Sequence, residues 1–158
     1  MNIAYILNAS VLTGGATKAF LNMLNGLLPY GISPYVIIPD NEGVTQVLKT
    51  KNIPTLVINY RPSTYPTCHT LKEKVLFIPK LIARIYLNYM ATKTLTAYLK
   101  RNNIDIVHSN SGVVRIGFDA AQKAGIPHIY HIREYGDLAY IFHTHYKANV
   151  LGFRKSQL

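Results

Sequence analysis

Short, wholly apolar runs alternate along this chain with longer runs in which apolar residues recur at helical spacing. Ile3-Ala4-Tyr5-Ile6-Leu7 is strand-length and uninterrupted, which predicts a strand buried on both faces. From Ala16 to Leu28 the pattern changes. Phe20, Leu24, Leu27 and Leu28 fall at i, i+4, i+7 and i+8, one stripe of a helix, and Pro29 and Gly31 stop it. Tyr35-Val36-Ile37-Ile38 predicts a second strand, Val44 to Lys51 a short helix, and Leu56-Val57-Ile58 a third strand. Arg61 to Thr70, with Pro62, Pro66 and Ser63, reads as a loop. A long helical stretch follows from Leu71 to Arg101, and Pro79 predicts its division into two segments. Ile104 to Val107 predicts a fourth strand. Val113 to Ala124 predicts a helix with Ser111 as N-cap and Gly125 as its stop. His128 to Ile132 predicts a fifth strand, and Tyr135 to Leu158 begins with a helical pattern.

Strands that alternate with helices imply a parallel sheet with helices on both faces. The expected fold is therefore an α/β, Rossmann-like three-layer α/β/α sandwich with strand order 3-2-1-4-5, in a single domain spanning residues 1–158. In such sheets ligands bind beyond the carboxyl ends of the strands. The residues delivered there are Asn8 to Gly15 after the first strand, Asp40 to Glu42 after the second, His108 to Ser111 after the fourth, and His131 to Glu134 after the fifth. Gly14 and Gly15 lack the Cβ atoms that would hold a ligand off, and the helix they open offers N–H groups to an anion. His128, three residues before His131, is expected on the opposite face of its strand.

Composition narrows the partners. The chain has 158 residues, 49% of them hydrophobic and 15% charged, which suits one folded domain with a real core. The single cysteine, Cys68, excludes an intrachain disulfide framework and a multi-cysteine zinc site. Cys68 beside His69 is not a nucleophile–base arrangement. His143 and His145, two apart on a helix, would point about 200° apart and cannot chelate together. No metal is expected. Met1-Asn2 supplies no basic segment of a signal peptide, and no run of uncharged apolar residues is long enough to span a bilayer.

The formal net charge is +10, which favours an anionic partner. Residues 72–101 carry seven Lys or Arg and one acid, Glu73, interleaved with Leu76, Phe77, Leu81, Ile82, Ile85, Tyr86 and Tyr89. That mixture suits an anionic membrane surface. It is equally compatible with a helix in which Leu81, Ile85 and Leu95 pack on the sheet while its lysines face water. Nucleic acid is not expected, because no recognition motif is present. The glycine pair fits neither the P-loop nor the dinucleotide fingerprint.

Three motifs in fixed order are more specific: a strand followed by Thr13-Gly14-Gly15-Ala16-Thr17-Lys18, then Asp105 to Ser111 (DIVHSNS), then Pro127 to Tyr135 (PHIYHIREY). Over Asn2 to about Tyr135 the chain resembles the N-terminal half of family 4-type glycosyltransferases of the two-domain GT-B fold, especially bacterial enzymes of capsule and exopolysaccharide assembly. The resemblance implies transfer of a sugar from a nucleotide sugar to an acceptor hydroxyl, usually with retention, without a metal cofactor. It implies that this half binds a glycan or lipid-linked acceptor. Gly14 and Gly15, with Lys18 beside them, would approach the donor's phosphates. His131 would act near the reaction centre, and Arg133 and Glu134 extend its motif. His108 and Asn110 match the polar end of the fourth strand. A cytoplasmic location, peripheral at the inner membrane face, is implied. The family's donor-binding half, with its paired glutamates, has no counterpart in this chain. The expectation is a fragment that does not transfer sugar alone. The alternative is a non-catalytic, membrane-associated acceptor-binding subunit that recruits a separate donor-binding protein.

Overall fold

A computed structural model describes residues 1–64 and 70–132. The predictions for Cys68, Arg133, Glu134, His143, His145 and the helical stretch after Tyr135 lie outside the described residues. The elements in order are β1 (Asn2–Ile6), α1 (Gly15–Leu27), β2 (Ser33–Ile38), α2 (Val44–Thr50), β3 (Thr55–Val57), α3 (Leu71–Arg101), β4 (Ile106–Ser109), α4 (Ile116–Ala124) and β5 (His128–Tyr130). All four strand pairings are parallel, and the sheet order is β3-β2-β1-β4-β5. This is the predicted three-layer α/β/α, Rossmann-like architecture.

The sheet separates two apolar clusters, and strand alternation sorts residues between them. Ile3, Tyr5 and Leu7 of β1 and its exit, with Val36 and Ile38 of β2, meet Phe20 and Leu24 of α1 and Val44 and Leu48 of α2. Ala4, Ile6 and Ile37 point the other way, toward Ala91, Leu95 and Leu99 of α3 and Ile116, Ala120 and Ala121 of α4. α1 and α2 therefore cover one face, and α3 and α4 the other.

Several elements differ in extent from their predicted form. Leu71–Arg101 is one helix with Pro79 inside it, where a division was expected. A proline removes a single hydrogen bond, and a long helix continues through it when the flanking turns hold. β4 begins at Ile106, two residues later than the apolar run suggests. Ile104 packs in the core from the turn before the strand, just after Asn103 at φ 47°. Ser111 does not cap α4. The helix starts after Arg115, and the Ser111 hydroxyl instead accepts the Val113 N–H at 3.3 Å. Val113 and Val114 fill the core from this added turn. β5 ends at Tyr130, which leaves His131 past the strand. Leu28, read as part of the α1 stripe, opens a 3-10 turn with Pro29 and Tyr30. Gly125 stops α4 as expected, in a left-handed conformation at φ 74°.

α4 approaches the sheet closely at Gly117. A Cβ there would lie 2.4 Å from Ser109 Oγ and 3.0 Å from Ile6 Cγ1. Both neighbours are fully buried, so neither has room to retreat. Gly117→Ala is therefore expected to push α4 off the sheet and to destabilise the protein by about 1–3 kcal/mol, despite alanine's better helix propensity. Urea denaturation of both proteins measures the difference.

Candidate functional site

β1 lies at the reversal of strand order. The chain proceeds from β1 to β2 and β3 on one side, then returns to place β4 and β5 on the other. The segment after β1 leads into α1 on one face, and the segment after β4 leads into α4 on the opposite face. The two loops lead to opposite faces, so the carboxyl end of β1 is the topological switch point, the place where open α/β sheets bind ligands.

The loop after β1 forms one wall. Gly14 is the N-cap of α1 with φ −69° and ψ 133°, and no side chain caps this end. The first-turn N–H groups of a helix have no intrahelical partner, and the helix dipole makes them an anion site. Neither glycine is required by its own backbone or packing. A Cβ on Gly14 would make ordinary contacts at 3.5 and 3.7 Å, and one on Gly15 would meet nothing within 4 Å. The space before Gly15 is open. Lys18, in the first turn of the helix that follows, is exposed.

This loop is held from below. Ser10 Oγ donates to the Asp40 carbonyl at 3.1 Å, and Val44 N–H donates to the Ser10 carbonyl at 2.9 Å, tying it to the loop after β2. The Tyr60 hydroxyl, fully buried, donates to the carbonyls of Leu7 and Ile37 at the ends of β1 and β2. Burial, with Asp40 nearby, raises its pKa well above the ordinary tyrosine value and keeps the donor protonated. Asn110, also buried, places its Nδ2 3.1 Å from the Ala16 carbonyl and its backbone N–H 2.9 Å from that of Ile6. Asn110 thus bridges the loop after β4 to the first turn of α1.

The histidines divide between the two faces. His108 lies within β4 and not beyond its end, in register with Tyr5. Phe20, Tyr5, His108 and His131 form a run of ring contacts at 5.4, 5.3 and 5.5 Å between centroids, leading from the α1 core to the sheet edge. His131, half-buried, donates its backbone N–H to the Ser109 carbonyl at 2.9 Å. The structure therefore brings His131 and His108 together, with Asn110 two residues beyond His108. His128 is on the α4 side, as expected. Its Nε2 shares a 2.9 Å hydrogen bond with Ser109 Oγ, and its ring abuts Phe118 and Tyr130. Burial, followed by the nearby His108, lowers the His128 pKa to about 4, so it is neutral at pH 7.

Sequence reasoning did not single out Tyr60, Ser10 or Ser109. Tyr60 is one of 12 tyrosines, and nothing beside it marks its bonding role. Among the described residues no three His, Cys, Asp or Glu side chains gather to hold a metal. Two other concavities lie elsewhere: a groove of about 330 Å³ between α3 and α4, and one of about 450 Å³ beside β3. Neither includes Gly14, Gly15, His108 or His131.

His128 gives the fold a pH dependence with a definite sign. Unfolded, its imidazole takes a proton below about 6.5, whereas the native one stays neutral down to about 4. The unfolded chain binds the extra proton in that window, so stability is full above it and falls as pH drops through it. His128→Gln removes this titration, and the variant is expected to show a shallower loss of melting temperature between pH 6.5 and 4 than the parent, as measured by circular dichroism.

The fold has clear counterparts among solved structures. The chain aligns with Acinetobacter baumannii MurG at 20% identity and a TM-score of 0.57, covering 82% of this chain and 34% of that one. A glycosyltransferase from Rickettsia africae aligns at 14% identity and a TM-score of 0.58, covering 96% and 35%. Anabaena Alr3699/HepE, solved in complex with UDP-glucose, aligns at 18% identity and a TM-score of 0.52, covering 85% and 29%. No protein-family model and no curated protein matches the sequence. The chain spans about a third of the length of these structures, and what it shares with them is the α/β Rossmann-like fold of GT-B glycosyltransferases.

Proposed function

We propose that this chain provides the acceptor-side half of a glycosyltransferase that moves a sugar from a nucleotide sugar to an acceptor hydroxyl in cell-surface glycan synthesis. The observation that carries the reading is the uncapped N-terminus of α1 behind two glycines that neither backbone nor packing requires. It stands at the switch point of the sheet, tied through Asn110 to the loop after β4. One solved neighbour of the same fold is a complex with UDP-glucose.

Sugar transfer builds negative charge on the departing diphosphate and positive charge on the anomeric carbon. The first-turn N–H groups of α1, with Lys18 nearby, meet the first need. Gly14 and Gly15 let phosphate oxygens reach those N–H groups without a Cβ in the way. His131 stands where an imidazole can hydrogen-bond a sugar hydroxyl or carry a proton near neutral pH. His108 backs its ring, and Asn110 fixes the first turn of α1. No metal enters this scheme, because helix amides and cations stabilise the leaving group. The family 4 assignment, a capsule or exopolysaccharide product, a glycan or lipid-linked acceptor and a cytoplasmic setting all belong to this proposal.

In the complete enzyme, His131→Ala is expected to lower turnover about tenfold or more, measured as nucleoside diphosphate release. Wild-type turnover from that variant would remove His131 from the site. Calorimetric titration of the chain itself separates this reading from a dinucleotide-binding one. Tight NAD binding, with none for UDP-sugars, would overturn the proposal.

A further inference from the structure

α3 and α4 lie on the same face of the sheet, and the seam between them changes character with depth. Next to the sheet it is apolar, with Ala91 and Leu95 of α3 in one cluster with Ile116 and Ala120 of α4. Toward solvent the two helices leave a groove of about 330 Å³, at the lower end of the range of small-molecule sites, about 300–1,000 Å³. A helix pair that served packing alone would close such a seam with interlocking aliphatic side chains. This one lines it with charged, amide and aromatic groups.

Each wall presents its own chemistry. On α3, Ile85 and Tyr89 stand one turn apart and offer an aliphatic group and an aromatic ring, both exposed. On α4, Arg115, Asp119 and Lys123 recur every fourth residue along the groove. Asp119 Oδ1 pairs with Arg115 Nε at 3.2 Å, and the second carboxylate oxygen adds acceptor capacity. Gln122 beside them is exposed and supplies an amide donor and an amide acceptor. The Lys123 ammonium lies over the Tyr89 ring, 5.5 Å from its centroid, which holds a cation between the two helices. Arg84 also lines the groove, so among the described lining residues three are cations and one is a carboxylate.

We infer that this groove is a second binding site, for a sugar acid such as a hexuronate unit of a glycan. The three chemistries of that ligand are matched one by one. Its C–H face packs on Ile85 and the exposed part of the Tyr89 ring. Its hydroxyls bond Asp119 and Gln122, and its carboxylate meets the Lys123 ammonium. A free phosphate would use the cations and leave the apolar wall idle. A neutral sugar would leave the excess of cations uncompensated. The groove includes none of Gly14, Gly15, His108 and His131. The site rests on α3 and α4 and does not depend on the sugar-transfer reading.

In calorimetric titration the chain is expected to bind cellobiouronic acid about tenfold or more tightly than cellobiose, its neutral twin. Lys123→Glu, at an exposed position, is expected to weaken that binding about tenfold or more. Lys49→Glu makes the same charge change on α2, exposed on the other face of the sheet, and is expected to leave the affinity within about twofold. The chain contains no tryptophan, so Tyr89→Trp places a single fluorophore in the groove, and its emission is expected to change as the uronic acid binds. No binding by the parent chain, equal binding of cellobiose, or equal losses from the two charge reversals would overturn the inference. So would inorganic phosphate that competes with the uronic acid and binds as tightly, or a Tyr89→Trp emission that ignores a ligand which this variant binds by calorimetry. All of these measure binding and none measures turnover, so their failure leaves the proposed sugar transfer standing.

Discussion

Burial of β1 on both of its faces is the constraint from which the rest of the molecule follows. Ala4 and Ile6 fill one core, and Ile3, Tyr5 and Leu7 fill the other. Both edges of the strand are occupied by parallel partners, β2 and β4. A parallel partner cannot be reached by a tight turn, so each crossover must travel over a face of the sheet. The chain covers one face on its way to β3 and the other on its way to β5. The order therefore reverses at β1, and the switch point at its carboxyl end is a consequence of how β1 is covered. The candidate site lies where the topology leaves a gap.

That gap has a floor bonded from below. The Leu7 and Ile37 carbonyls take the Tyr60 hydroxyl, the Ser10 carbonyl takes the Val44 N–H, and the Ala16 carbonyl takes the Asn110 amide. All three ties use carbonyls. The first-turn N–H groups of α1, which need an acceptor, receive no side-chain cap. A net excess of donors at the switch point favours an anion. An aspartate or serine at position 14 would have supplied the usual acceptor at the cost of that preference.

The sequence showed the architecture because its strands are short, apolar and separated by helical spacing. It showed the strand order because the βα alternation leaves few arrangements open. It misplaced β4 by two residues for a physical reason. Apolar runs report burial, and Ile104 is buried in a turn while His108 and Ser109 are buried in the strand. His108 makes edge-to-face ring contacts with Tyr5 and His131, and Ser109 pairs with His128. Polar residues with partners three elements away leave no local signature. Tyr60 is hidden from sequence for the same reason. Gly14 and Gly15 were legible as residue types. That the chain itself has no need of them became visible only once the space around each was known.

α3 illustrates the opposite case, in which the pattern was visible but its meaning was not. Its apolar residues occupy too much of the circumference to define one buried side, so periodicity alone reads it as weakly amphipathic. The structure resolves this into two differently held parts of one helix. Ala91 to Leu99 supply core contacts, whereas the turns before Ala91 are held by Asn88 and Arg84 through loop carbonyls. Polar bonds brace that segment without consuming apolar surface. The brace is what leaves Ile82, Ile85, Tyr86 and Tyr89 outward. A helix that merely packed on the sheet would place its aliphatic residues inward throughout, with lysines on the other side. Here Ile82 and Tyr86 are exposed in the first half, while Ile85 and Tyr89 border the groove beside α4, where the Lys123 ammonium lies over the Tyr89 ring at 5.5 Å. The change of character along one helix follows from which turns find an apolar partner and which are held by polar bonds.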